Sequence, residues 1–90
     1  MKLNAGEIRP VYLARGHASL QLGDFPRAIA DFDQVLVMSP RSAEALRWRG
    51  EAYERMGDRP RALGDYRAAL ALDPKDDDAA ARVLRAMEGQ

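Results

Sequence analysis

Few side chains in this sequence could do chemistry. His17 is the single histidine and there is no cysteine. The imidazole therefore has no thiolate to activate and no second nitrogen ligand with which to share a metal, and it reads as an exposed or groove-facing residue. Asp76, Asp77 and Asp78 form the densest acidic run. Three consecutive carboxylates could bind a cation, but acids that open a helix are favoured by the helix dipole and cap free N–H groups, and the run is read that way. The seven glycines fall at helix junctions and close-packing points, not in a phosphate-cradling loop, so nucleotide binding has no support. No catalytic residue, cofactor or metal is expected, and the chain reads as a binding protein and not an enzyme.

The elements that carry these residues repeat. Gly16 and Gly50 lie 34 positions apart, as do Gly23 and Gly57, Asp24 and Asp58, Pro26 and Pro60, Ala28 and Ala62, and Pro40 and Pro74. Arg15/Arg49 and Asp31/Asp65 keep the same interval, and Phe32/Tyr66 is a conservative pair. A fixed gapless period of this length is the mark of a repeat architecture. Within each unit Leu46, Gly50, Tyr53 and Gly57, then Ala62, Tyr66, Ala69 and Leu70, follow helical spacing. Each unit therefore holds two helices. Gly23 and Gly57 suit the left-handed residue that closes a first helix, Pro26 and Pro60 the first turn of the second, and Pro40 and Pro74 its end. The predicted helices are 8–22, 25–38, 42–56, 59–72 and 76–88.

The set Leu46, Gly50, Tyr53, Gly57, Ala62, Tyr66, Ala69 and Pro74 resembles the tetratricopeptide signature, and Tyr12, Gly16, Gly23, Ala28, Phe32 and Pro40 give a second copy. Ser19 stands where the pattern prefers Tyr, and Val35 where it prefers Ala. The resemblance implies an all-α right-handed superhelix of stacked antiparallel hairpins, a solenoid of about five helices. The reading is one domain over 1–90: repeat one at about 9–42, repeat two at about 43–76 and a capping helix at about 77–88. Gly16 and Gly50 are expected to let paired helices approach closely, with Ala28 and Ala62 as small partners and Phe32 and Tyr66 filling the gap. On the capping helix Ala80, Val83, Leu84 and Met87 are expected to form the buried face and to leave a polar outer side.

Composition narrows the partners. Fourteen basic and fourteen acidic residues cancel, which removes the long-range attraction that nucleic-acid or polybasic membrane binding relies on. The longest apolar run, Ala68 to Leu72, is five residues, far below a membrane span. Residues 1–7 lack the apolar stretch of a secretory signal. The expected setting is cytoplasmic, and the expected partner is a protein or peptide, with neither nucleic acid nor membrane involved. A homo-oligomer is the alternative, because no preceding repeat covers the outer face of the first helix and repeat arrays normally need three units.

In the family the first helices line the concave face, and the helical wheel places that face here. If Leu46, Gly50 and Tyr53 point into the hairpin, the opposite stripe is Glu44, Trp48, Glu51 and Arg55, with Arg47 on its flank. The matching positions of repeat one are Pro10, Ala14, His17 and Gln21, with Leu13 and Leu20 beside them, and the cap adds Arg82 and Arg85. The predicted peptide groove is thus Leu13, His17, Leu20, Gln21, Arg47, Trp48, Glu51, Arg55, Arg82 and Arg85. Trp48 has two readings, an interface anchor or a packing residue against the cap or a neighbouring helix. The family's Lys/Asn clamp for chaperone-tail carboxylates is not matched, since Leu13, His17 and Trp48 occupy those positions. Arg27 with Asp31 and Arg61 with Asp65, each i and i+4, are expected to be solvent-facing ion pairs worth about 0.3–0.5 kcal/mol.

Overall fold

The computed structural model describes residues 4–88. Five helices follow in order: α1 Ala5–Leu22, α2 Phe25–Met38, α3 Ala43–Arg55, α4 Arg59–Leu72 and α5 Asp77–Glu88. The last four lie within a residue of the predicted bounds. The first begins three residues earlier than predicted, because the Asn4 side chain accepts from the Glu7 N–H at 3.0 Å and starts the helix there. Pro10 then sits inside α1 and forfeits a single ladder bond.

The junctions recur because their residues recur. Asp24 and Asp58 cap α2 and α4, each accepting from the N–H three residues on at 3.3 Å. Gly23 and Gly57 both adopt left-handed geometry, φ 86° and 87°, which a side chain would strain. Ser42 and Asp76 cap α3 and α5 through Ala45 and Ala79. α2 and α4 stop two residues before Pro40 and Pro74, whose rings exclude a helical conformation in the residue before them.

α1 packs on α2 and α3 on α4, and the hairpins join through α2 against α3, with α5 closing on α4. The closest approach in each hairpin is made by a glycine. A Cβ on Gly16 would lie 2.7 Å from the Phe32 ring, and one on Gly50 would lie 2.8 Å from the Tyr66 ring. Phe32, Tyr66, Ala28 and Ala62 are fully buried, as the signature requires. Ala52 belongs to α3 but packs with Leu20, Ala28 and Phe32, so the two repeats share one core. The result is a thin slab of 48 × 27 × 16 Å.

Two expectations are corrected. Asp31 and Asp65 do not pair outward with Arg27 and Arg61. They are buried at 3% and 7% exposure, and each receives a two-nitrogen grip from the first helix of its hairpin, Asp31 from Arg15 and Asp65 from Arg49. Asp31 lies on the stripe Ala28–Asp31–Phe32–Val35, which is the buried face of α2. An i, i+4 partner on Arg27 would have to leave that face. On α5 the buried set is Ala79, Val83 and Ala86, whereas Leu84 and Met87 are 63% and 48% exposed. The small alanines let the helix roll toward α4, and the outer side expected to be polar carries apolar groups.

Candidate protein-binding face

α1, α3 and α5 run side by side along one face, and side chains bridge each pair. Between α1 and α3 the His17 and Trp48 rings stack, centroids 4.1 Å apart and 12° from parallel. Trp48 also meets Phe32 at 6.0 Å in a tilted contact and packs against the core cluster of Leu20, Ala28, Phe32 and Ala52. The indole is therefore half packing residue and half surface, since Trp48 and His17 both remain partly exposed. Leu13 is half-buried beside the same cluster, and Gln21 is exposed one turn beyond His17. Leu20, assigned from sequence to the groove, is 1% exposed and belongs to the core. Its helix turns it toward Ala28 and Phe32 of α2.

Between α3 and α5 the bridges are ionic. Arg47 reaches Asp76 at 2.7 Å and Asp78 at 3.6 Å. Arg82 bonds Asp78 at 3.1 Å and lies 3.6 Å from Glu51. Arg85 grips Glu54 through two nitrogens at 3.2 and 2.8 Å, and the Tyr66 hydroxyl donates to the same carboxylate at 2.8 Å. Arg55 donates to the Leu20 carbonyl at 3.2 Å and covers the Phe25 ring. Each of the four predicted groove cations thus has an internal acceptor; Arg47, Arg82 and Arg85 meet carboxylates and Arg55 a neutral carbonyl, so the face is largely neutralised and not a positive trough.

These contacts set the protonation of the face. Burial works against ionisation of Glu54, but hydrogen bonds from Arg85 and Tyr66 and the charges of Arg85 and Arg82 outweigh it and hold the carboxyl below its ordinary range. The Ala79 N–H, helped by Arg47, holds Asp76 low in the same way, against a desolvation penalty. Burial and the Glu54 carboxylate push the Tyr66 phenol up, so it stays a donor throughout the physiological range. Arg82 stays charged despite its burial, through Tyr66 and Asp78.

Glu54, Asp76 and Asp78 lie outside the predicted groove set, and they complete the network. The signal for Asp76 was its capping position. The sequence gives no pairing for Glu54, because its partners come from other helices, Tyr66 of α4, 12 residues away, and Arg85 of α5, 31 residues away. Among the described residues no cluster of three or more His, Cys, Asp or Glu has a metal-binding arrangement. No helix among them is long and apolar enough to cross a membrane.

Paired helices repeated at a 34-residue interval, joined by glycine turns and presenting one continuous face of first helices, define a helical-repeat scaffold. The tetratricopeptide repeat model matches residues 13–77, and the chain belongs to that family. Domains of this family generally mediate protein–protein interaction. A solved structure described as the Arabidopsis OM64 TPR domain is similar, with 28% identity and a TM-score of 0.86 over 89% of this chain and 66% of that one. A structure of the UNC-45 chaperone, described by its role in binding and folding muscle myosin, shares 32% identity and a TM-score of 0.83 over 90% of this chain. The chain spans 66% and 9% of those two structures. Among proteins of curated function none matches it in sequence.

Proposed function

We propose that the protein is a non-catalytic interaction scaffold that takes a peptide or helix of another protein along the face of α1, α3 and α5. The observation that carries this reading is the His17–Trp48 stack, an aromatic platform left partly open between two first helices. Aromatic anchors of this kind dominate interface energetics. Three of the four surrounding cations, Arg47, Arg82 and Arg85, are already matched by Asp76, Asp78, Glu51 and Glu54, so the partner is selected by shape and apolar contact more than by bulk charge. Chaperone-tail carboxylates are disfavoured, since Leu13, His17 and Trp48 replace the clamp. The setting is proposed to be cytoplasmic, with neither nucleic acid nor a membrane surface as partner, because the net charge is zero.

Ala14 is exposed on this face beside His17 and tests the proposal without touching the core. Partners captured by the native chain and identified by mass spectrometry should be lost by Ala14→Arg at unchanged melting temperature. Their addition should also alter the emission of Trp48, the only tryptophan. A partner that Ala14→Arg retains, with silent Trp48 fluorescence, removes the inner face from the proposal.

The second reading is self-association, and the exposure of Leu84 and Met87 on α5 favours it. Sedimentation across a dilution series would show concentration-dependent mass that Leu84→Gln abolishes. A strict monomer at every concentration removes this reading.

A further inference from the structure

A second opening lies away from the aromatic stack, between the second helices α2 and α4. It is a cleft of about 620 Å³ floored by α3, within the range of about 300–1,000 Å³ typical of ligand clefts. Leu36 and Val37 form one wall and Tyr53 the floor. Val37 is 75% exposed, which leaves the apolar wall open to solvent.

The charges around this cleft are unequally occupied. Arg49, inside, spends its fork on two carboxylates, holding Asp65 at 2.9 and 2.7 Å and Asp33 at 2.8 Å. Those three groups satisfy one another, and the Arg49 charge beside Asp33 makes that acid a poor seat for an incoming cation. Arg61, on the other wall, differs. Its guanidinium is held 5.8 Å from the Tyr53 ring, its side chain is 71% exposed, and its ion-pair contact is with Asp58 three residues earlier at 3.5 Å. An exposed pair at that distance exchanges readily for a better acceptor.

An apolar wall beside an under-used planar cation complements one kind of surface. The geometry points to this cleft as a second docking site, for an extended segment of another protein in which an aliphatic side chain neighbours a carboxylate. The aliphatic group sits on Leu36 and Val37, beside the Tyr53 ring that Arg49 and Arg61 flank at 5.9 and 5.8 Å, and the carboxylate takes the fork of Arg61. The site is independent of the α1–α3–α5 face, so one scaffold can hold two chains at once.

The probes are N-acetyl-Leu-Asp amide and N-acetyl-Leu-Lys amide, titrated separately into the isotope-labelled full chain and followed by backbone amide shifts. The Leu-Asp probe should move Leu36, Val37, Tyr53 and Arg61, and the Leu-Lys probe should bind about threefold more weakly. Arg61→Gln should remove that preference while leaving leucine-dependent shifts, and Val37→Asp should remove binding of both probes; the exposure of both side chains leaves the fold intact, which the unperturbed spectrum of each variant checks. Equal affinity for the two probes, a preference that survives Arg61→Gln, shifts confined to His17 and Trp48, or no saturable shift would each overturn the assignment.

Discussion

Arg49 holds Asp65 through one edge of its guanidinium, Nε to one carboxylate oxygen at 2.9 Å and Nη2 to the other at 2.7 Å, and its remaining nitrogen reaches back to Asp33 at 2.8 Å. One side chain therefore ties α3 to its own hairpin partner and to the preceding repeat. Arg15 makes the same two-nitrogen contact with Asp31, but it has no earlier repeat to engage among the described residues.

Removing the guanidinium should expose this difference. Arg49→Met leaves the buried Asp65 carboxylate unmatched, and breaking a pair of this kind costs about 3 kcal/mol. Arg15→Met should cost less, because the Arg15 side chain is 48% exposed and water can replace it, whereas the Arg49 side chain is 23% exposed. Urea denaturation of the two variants measures the order.

Three glycines in helices should respond oppositely to one methyl group. Gly50→Ala and Gly16→Ala press a Cβ into the Tyr66 and Phe32 rings and should destabilise by about 1–2 kcal/mol. Gly64 in α4 has nothing within 4 Å of its added Cβ. Gly64→Ala should therefore stabilise by about 0.5–1 kcal/mol through helix propensity alone. Thermal melts of the three variants decide the signs.

Trp48 now has a stability cost attached to it. Trp48→Ala removes an indole that packs against Phe32 and the core cluster, and should lower stability by about 2–3 kcal/mol, below the full range for a wholly buried tryptophan. His17→Ala loses the stack alone and should cost under about 1 kcal/mol. Loss of partner binding in Trp48→Ala is thus interpretable only beside its unfolding curve.

Acid should weaken the α3–α5 junction. Glu54 and Asp76 both titrate below their ordinary range when folded. Their contribution is therefore complete above the unfolded carboxylate pKa, near about 4, and is lost as pH falls through the lower folded values. The melting temperature should be level with respect to these groups from neutrality to about pH 5 and fall below about pH 4. Glu54→Gln should show a shallower acid limb. An equal limb in the variant would assign the acid sensitivity elsewhere.

The face that α5 buries can be checked with two substitutions. Val83→Ala removes methyl groups from a position 9% exposed and should cost about 1 kcal/mol or more. Leu84→Gln alters a residue 63% exposed and should change stability by under about 0.5 kcal/mol. The reverse order would restore the packing expected from the helical wheel.

What the sequence determined by itself was everything local or periodic. The 34-residue interval, the bounds of the last four helices, the left-handed glycines at 23 and 57 and the proline stops depend on backbone geometry, which each residue carries with it, and the repeat pattern added the pairing of Gly16 with Phe32 and Gly50 with Tyr66. The tertiary structure decided how each helix is rolled about its axis. A helical wheel shows which residues share a stripe, but not which neighbour the stripe meets, because that depends on contact with several helices at once. For that reason Asp31 and Asp65 turned inward to Arg15 and Arg49, Leu20 entered the core, and Leu84 faced outward. Arg47, Arg82 and Arg85 likewise found acids far away in sequence. Charge neutralisation is a property of distances across the fold, and only packing sets those distances.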